Sequence, residues 1–173
     1  MSAPTFEMAT ASADGTRATG VALGGRVRPG DVIVLTGDLG AGKTVITQGV
    51  ASSLGVAGHV TSPTFNILVV HRGTIDLAHF DLYRLEHEWQ LEDIDFWGLV
   101  ESDAVSVIEW GDRFPAALPA DVLTVTLAIT GDESRRITVS ASGERSQALR
   151  SDWLEECANL GGVTVTAGDS GMT

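Results

Sequence analysis

The chain is poor in the residues that build several common kinds of site. It has one cysteine, Cys157, which excludes an intrachain disulfide and a cysteine-based zinc cluster. No run of about 18 apolar residues occurs, so nothing spans a membrane. The opening stretch MSAPTFEMATASADG is neither basic nor apolar enough for a secretory signal. These absences point to a cytoplasmic protein. His59, His71, His79 and His87 lack the HxxxH and HExxH spacings, so they read as surface or core residues rather than metal ligands. Positive charge is also scarce: 11 basic residues face 23 acidic ones, for a net charge of −12. Such a chain repels phosphate backbones and is poorly suited to grip nucleic acid alone, although it suits docking on a basic partner. Any anion site must be built from local donors against the overall field.

What is present is concentrated. Ten of the 11 basic residues are arginine, and the one lysine is Lys43. It lies in TGDLGAGKTV, Thr36–Val45, where Gly37-x-x-x-x-Gly42-Lys43-Thr44 satisfies the phosphate-loop pattern. Glycine recurs there because phosphate oxygens must approach several backbone N–H groups, and a Cβ would obstruct them. The loop runs from a buried-strand pattern, DVIVLT (residues 31–36), into a helical pattern over 44–54, whose N-terminal amides favour anions. The expected nucleotide contacts are Asp38, Leu39, Gly40, Ala41 and Gly42, then Lys43 on the β- and γ-phosphates of ATP or ADP. The Thr44 hydroxyl is expected on Mg²⁺.

The length favours one domain, covering residues 1–160, with a small, polar, disordered tail over 161–173. Along it the patterns predict a short edge strand at 5–10 and a helix at 12–27 weakened by Gly15, Gly20, Gly24 and Gly25. A hairpin of strands at 66–71 and 75–82 follows. Next come a short acidic helix at 86–94, a helical turn at 96–101, and a buried strand, VSVIEW, at 105–110. A second hairpin pairs 121–130 with 135–141, and a helix covers 145–160. The fold class is α/β: a mixed sheet of P-loop NTPase type flanked by helices, with hairpins after the core strands.

A phosphate-loop hydrolase also needs an acid for Mg²⁺ and a group to position water. In open α/β sheets both belong at strand ends. Glu109 ends VSVI and Asp81 follows LAHF; either is a candidate for the metal-side acid, and the pattern alone leaves that open. Thr64, on the turn SPTF, is a candidate γ-phosphate sensor, with a simple turn hydroxyl as the alternative. Trp110, beside Glu109, is placed to stack on or cover the site.

Four blocks in order, GDLGAGKT, TSPTF, HFDLYRL and IEW, resemble the bacterial TsaE (YjeE) family, small P-loop ATPases of tRNA threonylcarbamoyladenosine biosynthesis. The resemblance runs from about Gly20 to Phe114. It implies Mg²⁺-dependent ATP hydrolysis, with Lys43, Asp81 and Glu109 catalytic and Thr44 and Glu109 on the metal. It also implies a switch-like role for Thr64 and a functional role for Trp110. The implied partners are the subunits that transfer threonylcarbamoyl to adenosine 37 of tRNAs reading codons that begin with A. This subunit would cycle that complex and meet tRNA only through it. Two positions depart from the family pattern: Val45 stands where a second threonine is frequent, and Gly111 where proline is common. The segment after Phe114 carries no implied catalytic residue, although Arg135 or Arg136 could approach the nucleotide. Two other readings compete. A metabolite-phosphorylating P-loop kinase would want a cationic lid, and no Arg or Lys lies between Leu85 and Val105. A nucleotide-bound interaction module would not need the acid pair.

Overall fold

The computed structural model describes residues 4–167. Two kinds of strand build its sheet, and their sequences say why. VIVLT (β2, Val32–Thr36), LAHFD (β4, Leu77–Asp81) and VSVIE (β5, Val105–Glu109) are buried at every position. LTVTLAI (β6, Leu123–Ile129) and RRITVSA (β7, Arg135–Ala141) alternate, burying every second residue. Continuous apolar runs need cover on both faces, whereas alternating ones need it on one. With β1 (Phe6–Thr10), β3 (Leu68–His71) and β8 (Val163–Ala167), they form one sheet in the order β3-β4-β5-β2-β6-β7-β1-β8. The pairs β4–β5, β5–β2 and β2–β6 are parallel, and the rest are antiparallel. The mixed sheet with two hairpins is thus as the sequence predicts.

One face carries α1 (Ala13–Gly24), α2 (Lys43–Ser53) and α5 (Glu144–Cys157) over a core that includes Leu23, Ile46, Leu149 and Trp153. The other face is covered over β2, β4 and β5 by α3 (Gln90–Asp93), α4 (Phe96–Val100) and the 3₁₀ turns that follow β5, around Phe80, Leu91, Phe96 and Phe114. The glycines expected to weaken α1 have a packing role. A Cβ on Gly49 of α2 would lie 2.5 Å from the Arg17 carbonyl oxygen, and one on Gly20 would overlap the Ile46 carbonyl. The two helix backbones therefore meet directly, which seats α2 and the loop that opens it.

Several predicted elements are corrected. The first strand is not an edge: β1 lies inside the sheet, between β7 and β8. The edge belongs to β8, which occupies residues 163–167 of the segment read as a disordered tail; residues 168–173 of that segment lie outside the described residues. A VTVT run needs only one long partner to become a strand, and β1 supplies it. Helix α1 stops at Gly24, where the backbone turns toward Arg28-Pro29. The acidic helix of 86–94 reduces to the single turn Gln90–Asp93, because the Gln90 side chain accepts from the amides of Glu86 and His87 and folds the preceding residues into a turn. Strand β3 starts at Leu68 because Ile67 is left-handed, with φ 64°, an outlier conformation for a β-branched residue.

Candidate functional site

The parallel strands all point their carboxyl ends at one edge of the sheet, and the sequence after β2 turns there into the glycine loop. Gly37 and Gly42 hold φ of 133° and 109°, outside the reach of ordinary side chains, and a Cβ on Gly37 would overlap the Leu127 carbonyl. The loop therefore turns tightly into α2, whose first residue is Lys43. The Lys43 ammonium donates to the carbonyls of Gly37 (2.6 Å) and Asp38 (2.9 Å) and lies 4.4 Å from the centre of the Trp110 ring. Burial pushes Lys43 below its ordinary pKa, opposed by the charges of Glu109, then Asp81, Asp38 and Asp112. Among the described residues no carboxylate pairs with this buried cation, which leaves it available to an incoming anion.

The two acids meet because of strand register. Asp81 ends β4, Glu109 ends β5, and they are direct neighbours in the parallel pairing. The pleat puts Leu77, His79 and Asp81 on one face, with Val105, Val107 and Glu109 beside them, and this is the face that carries α2. Thr44 of α2 donates to Glu109 Oε1 at 3.2 Å. Asp81 Oδ2 accepts from Ser62 (2.6 Å) and Thr64 (3.3 Å), and its Oδ1 accepts from the Tyr83 amide (3.0 Å). The SPTF turn is thereby latched to one acid and the helix to the other. Trp110 follows Glu109 in a left-handed conformation, φ 61°, which turns its ring over Lys43 and against Tyr83.

Together these residues line a cleft of about 300 Å³, bounded by Gly40, Gly42, Lys43, Thr44, Thr64, Asp81, Glu109 and Trp110. Asp38 and Ala41 contribute backbone; the Asp38 carbonyl accepts from the Ala41 amide as well as from Lys43, and the Leu39 side chain is exposed at the rim. Donor chemistry tests whether these residues fit a metal ion. Thr44 and the two carboxylates offer hard oxygen ligands, which fit Mg²⁺. No group of three or more His, Cys, Asp or Glu residues among the described residues forms a metal cage. Mg²⁺ commonly takes one or two protein oxygens and completes its shell with phosphates and water, so this set fits an ion arriving with a nucleotide.

Two contributors, Ser62 and His79, lie outside the sequence-based set, and Arg135, expected to approach the nucleotide, is placed differently. Ser62 shares Asp81 with Thr64. His79, read as a surface or core residue, is fully buried but bonded to Glu109 Oε2 at 2.6 Å. Its period-two spacing from Asp81 carried that signal. Arg135 sits behind the loop, not in the cleft: its guanidinium donates to the carbonyls of Ala41 (2.9 Å) and Gly40 (3.2 Å), while Arg136 is exposed. Gly111 is buried against Val34 and Ile108, in a 3₁₀ turn.

A doubly covered parallel sheet, a glycine loop opening a helix, and acids at the neighbouring strand ends define a P-loop α/β protein. The family model described as "Threonylcarbamoyl adenosine biosynthesis protein TsaE" matches residues 10–137. The chain belongs to the TsaE family. It is 40% identical over 129 residues to the protein of that name from Treponema pallidum, covering 75% of this chain and 96% of that one. It is 37% identical over 141 residues to the Bacillus subtilis protein, covering 81% and 88%. The crystal structure of Bacillus subtilis YdiB superposes with a TM-score of 0.77 at 29% identity, covering 90% of this chain and 98% of that one. Among the described residues, no helix is long and apolar enough to cross a membrane.

Proposed function

We propose that this protein binds ATP with Mg²⁺ and hydrolyses it in the service of tRNA threonylcarbamoyladenosine formation, cycling the complex that modifies adenosine 37 without transferring the group itself. The observation that carries the reading is the register pair Asp81–Glu109 facing Lys43 and Thr44 across one cleft. Its relatives' names supply the pathway.

In this reading the α2 N-terminal amides and the loop hold the phosphates, and Lys43 exchanges the carbonyls of Gly37 and Asp38 for β- and γ-phosphate oxygens. Thr44 and Glu109 hold Mg²⁺, which when bound neutralises charge building on those oxygens. Asp81 orients the attacking water and accepts its proton as the γ-phosphoryl bond breaks. Thr64 and Ser62, both bonded to Asp81, report whether the γ-phosphate is present. Trp110 shields the cation. The acidic surface leaves tRNA contact to partner subunits, the proteins that transfer threonylcarbamoyl.

The test is ATP turnover by the full chain, alone and with those partner subunits. Slow turnover alone, stimulated by the partners and reduced to background in Lys43→Ala and Glu109→Ala, is expected. Turnover that partners leave unchanged would remove the proposed pathway role. Phosphate transfer to a small acceptor would replace the hydrolase reading with a kinase.

A further inference from the structure

His79 is the least accounted-for polar group near the cleft. Its ring is fully buried in β4, and Glu109 Oε2, 2.6 Å from Nε2, is its one hydrogen-bond partner among the described residues. The other ring nitrogen, Nδ1, is buried with no partner among the described residues. Its polar contact goes to a single carboxylate. Glu109 is equally committed. It is buried, and its two oxygens are divided between Thr44 at 3.2 Å and His79 at 2.6 Å. The pleat explains the meeting: His79 lies two residues before Asp81 on the same face, diagonal to Glu109 on the adjacent parallel strand.

We infer that His79 is a positioning residue for Glu109: its Nε2–H holds Oε2, so that Oε1 stays turned toward Thr44 and the cation that arrives there. This inference rests on the proposed Mg²⁺ site. Carboxylates and imidazoles that hold a metal are commonly fixed by a second group behind them, and loss of that group lowers metal affinity by about 10–100-fold. Without His79, Glu109 can rotate in its pocket and one of its oxygens is buried unpaired.

The experiment uses the full chain and a fluorescent N-methylanthraniloyl-ADP probe, titrated with Mg²⁺ and separately in EDTA. His79→Leu keeps the volume and removes the donor. His79→Gln places an amide N–H near the position of Nε2. The Leu variant is expected to raise the Mg²⁺ midpoint about tenfold with metal-free probe affinity unchanged. The Gln variant is expected to return the midpoint to within about threefold of the native value. A native midpoint in His79→Leu overturns the inference, and so does a Gln variant no better than Leu, since packing would then be what was lost. If Glu109→Gln also leaves the midpoint unmoved, the Mg²⁺ site falls with it; if Glu109→Gln raises the midpoint and His79→Leu does not, only the role of His79 falls. A measurement on the native protein does not depend on the variants folding. Nitrogen-15 NMR is expected to show a ring proton on Nε2 of His79, protected from solvent exchange, and an unprotonated Nε2 overturns the inference.

Discussion

The two halves of the sheet follow opposite rules. From β4 to β2 the strands are covered on both faces, and the two cleft carboxylates sit at the ends of adjacent parallel strands. From β6 to β8 neighbouring pairs are antiparallel, and the buried side chains of β6 and β7 all face α1, α2 and α5. The first half aims side chains at a common edge, which parallel strands do automatically. The second half alternates direction, so its strand ends do not converge; it stiffens the sheet and anchors α5. The difference teaches that chemistry here comes from strand direction, and stability from area.

Exchanging damage between the halves gives the sharpest contrast. Glu109→Ala should lower ATP turnover about a hundredfold or more, as expected when charge stabilisation of several kcal/mol is lost, while costing only about 1–3 kcal/mol of stability for the His79 donor it strands. Trp153→Ala should do the reverse. Trp153 is fully buried and donates its indole N–H to the Thr19 carbonyl, so its loss should cost about 3–5 kcal/mol in a urea titration. Turnover per folded molecule should stay near native. A Trp153 variant with impaired turnover per folded molecule would erase the division between halves.

Arg135 is where the division should leak. It belongs to the antiparallel half, yet its guanidinium grips the outer carbonyls of Gly40 and Ala41. Hydrogen bonds from a charged donor contribute about 1.5–3 kcal/mol each, so Arg135→Gln should weaken ADP binding roughly tenfold while leaving the Mg²⁺ midpoint alone. Unchanged ADP affinity would show the loop to be rigid without it.

The smallest effect tests the anchor of α5. Burial pushes the Asp121 carboxyl up, but the Ser146 hydrogen bond, the amides of Ser146 and Arg145, and the Arg145 charge together hold it below its usual 3.8. Its bonds to the Arg145 and Ser146 amides cap the helix start, at 2.9 Å each. Asp121→Asn should therefore cost about 1 kcal/mol at neutral pH. Because the folded pKa is depressed, that contribution is complete above 3.8 and is lost as pH falls through the lower folded value. Native and Asn proteins should converge in stability in that acidic window; a gap that persists there would assign the effect to shape rather than charge.

Legibility in the sequence followed locality. The glycine loop, the apolar runs of β2 and β5, and the alternating hairpin β6–β7 carry their signals within a few residues, and all are present as predicted. Asp81 and Glu109 were legible as strand-end acids, but their pairing is a matter of register, which no local pattern states. His79 was readable from the pleat only once Glu109 was known to be its neighbour. What escaped was non-local: β8 is a short run of valine and threonine with no apolar excess, and β1 gave no sign of a second partner. The reach of Arg135 across to the loop depends on how far the hairpin leans over the sheet, which its own residues do not encode.

The position of β1 has a consequence for how the chain acquires its shape. Phe6 pairs with Val139 on one side and Ala167 on the other, so this segment finds both its neighbours far along the chain. Loops that long close slowly, whereas β2, β4 and β5 can assemble earlier from nearer segments. The edge that carries the glycine loop and the two acids is therefore expected to form before the far margin of the sheet closes. Pulse-labelled hydrogen exchange during refolding should find the amides of β2 and β5 protected before those of β1, and simultaneous protection would show that the sheet closes in one step.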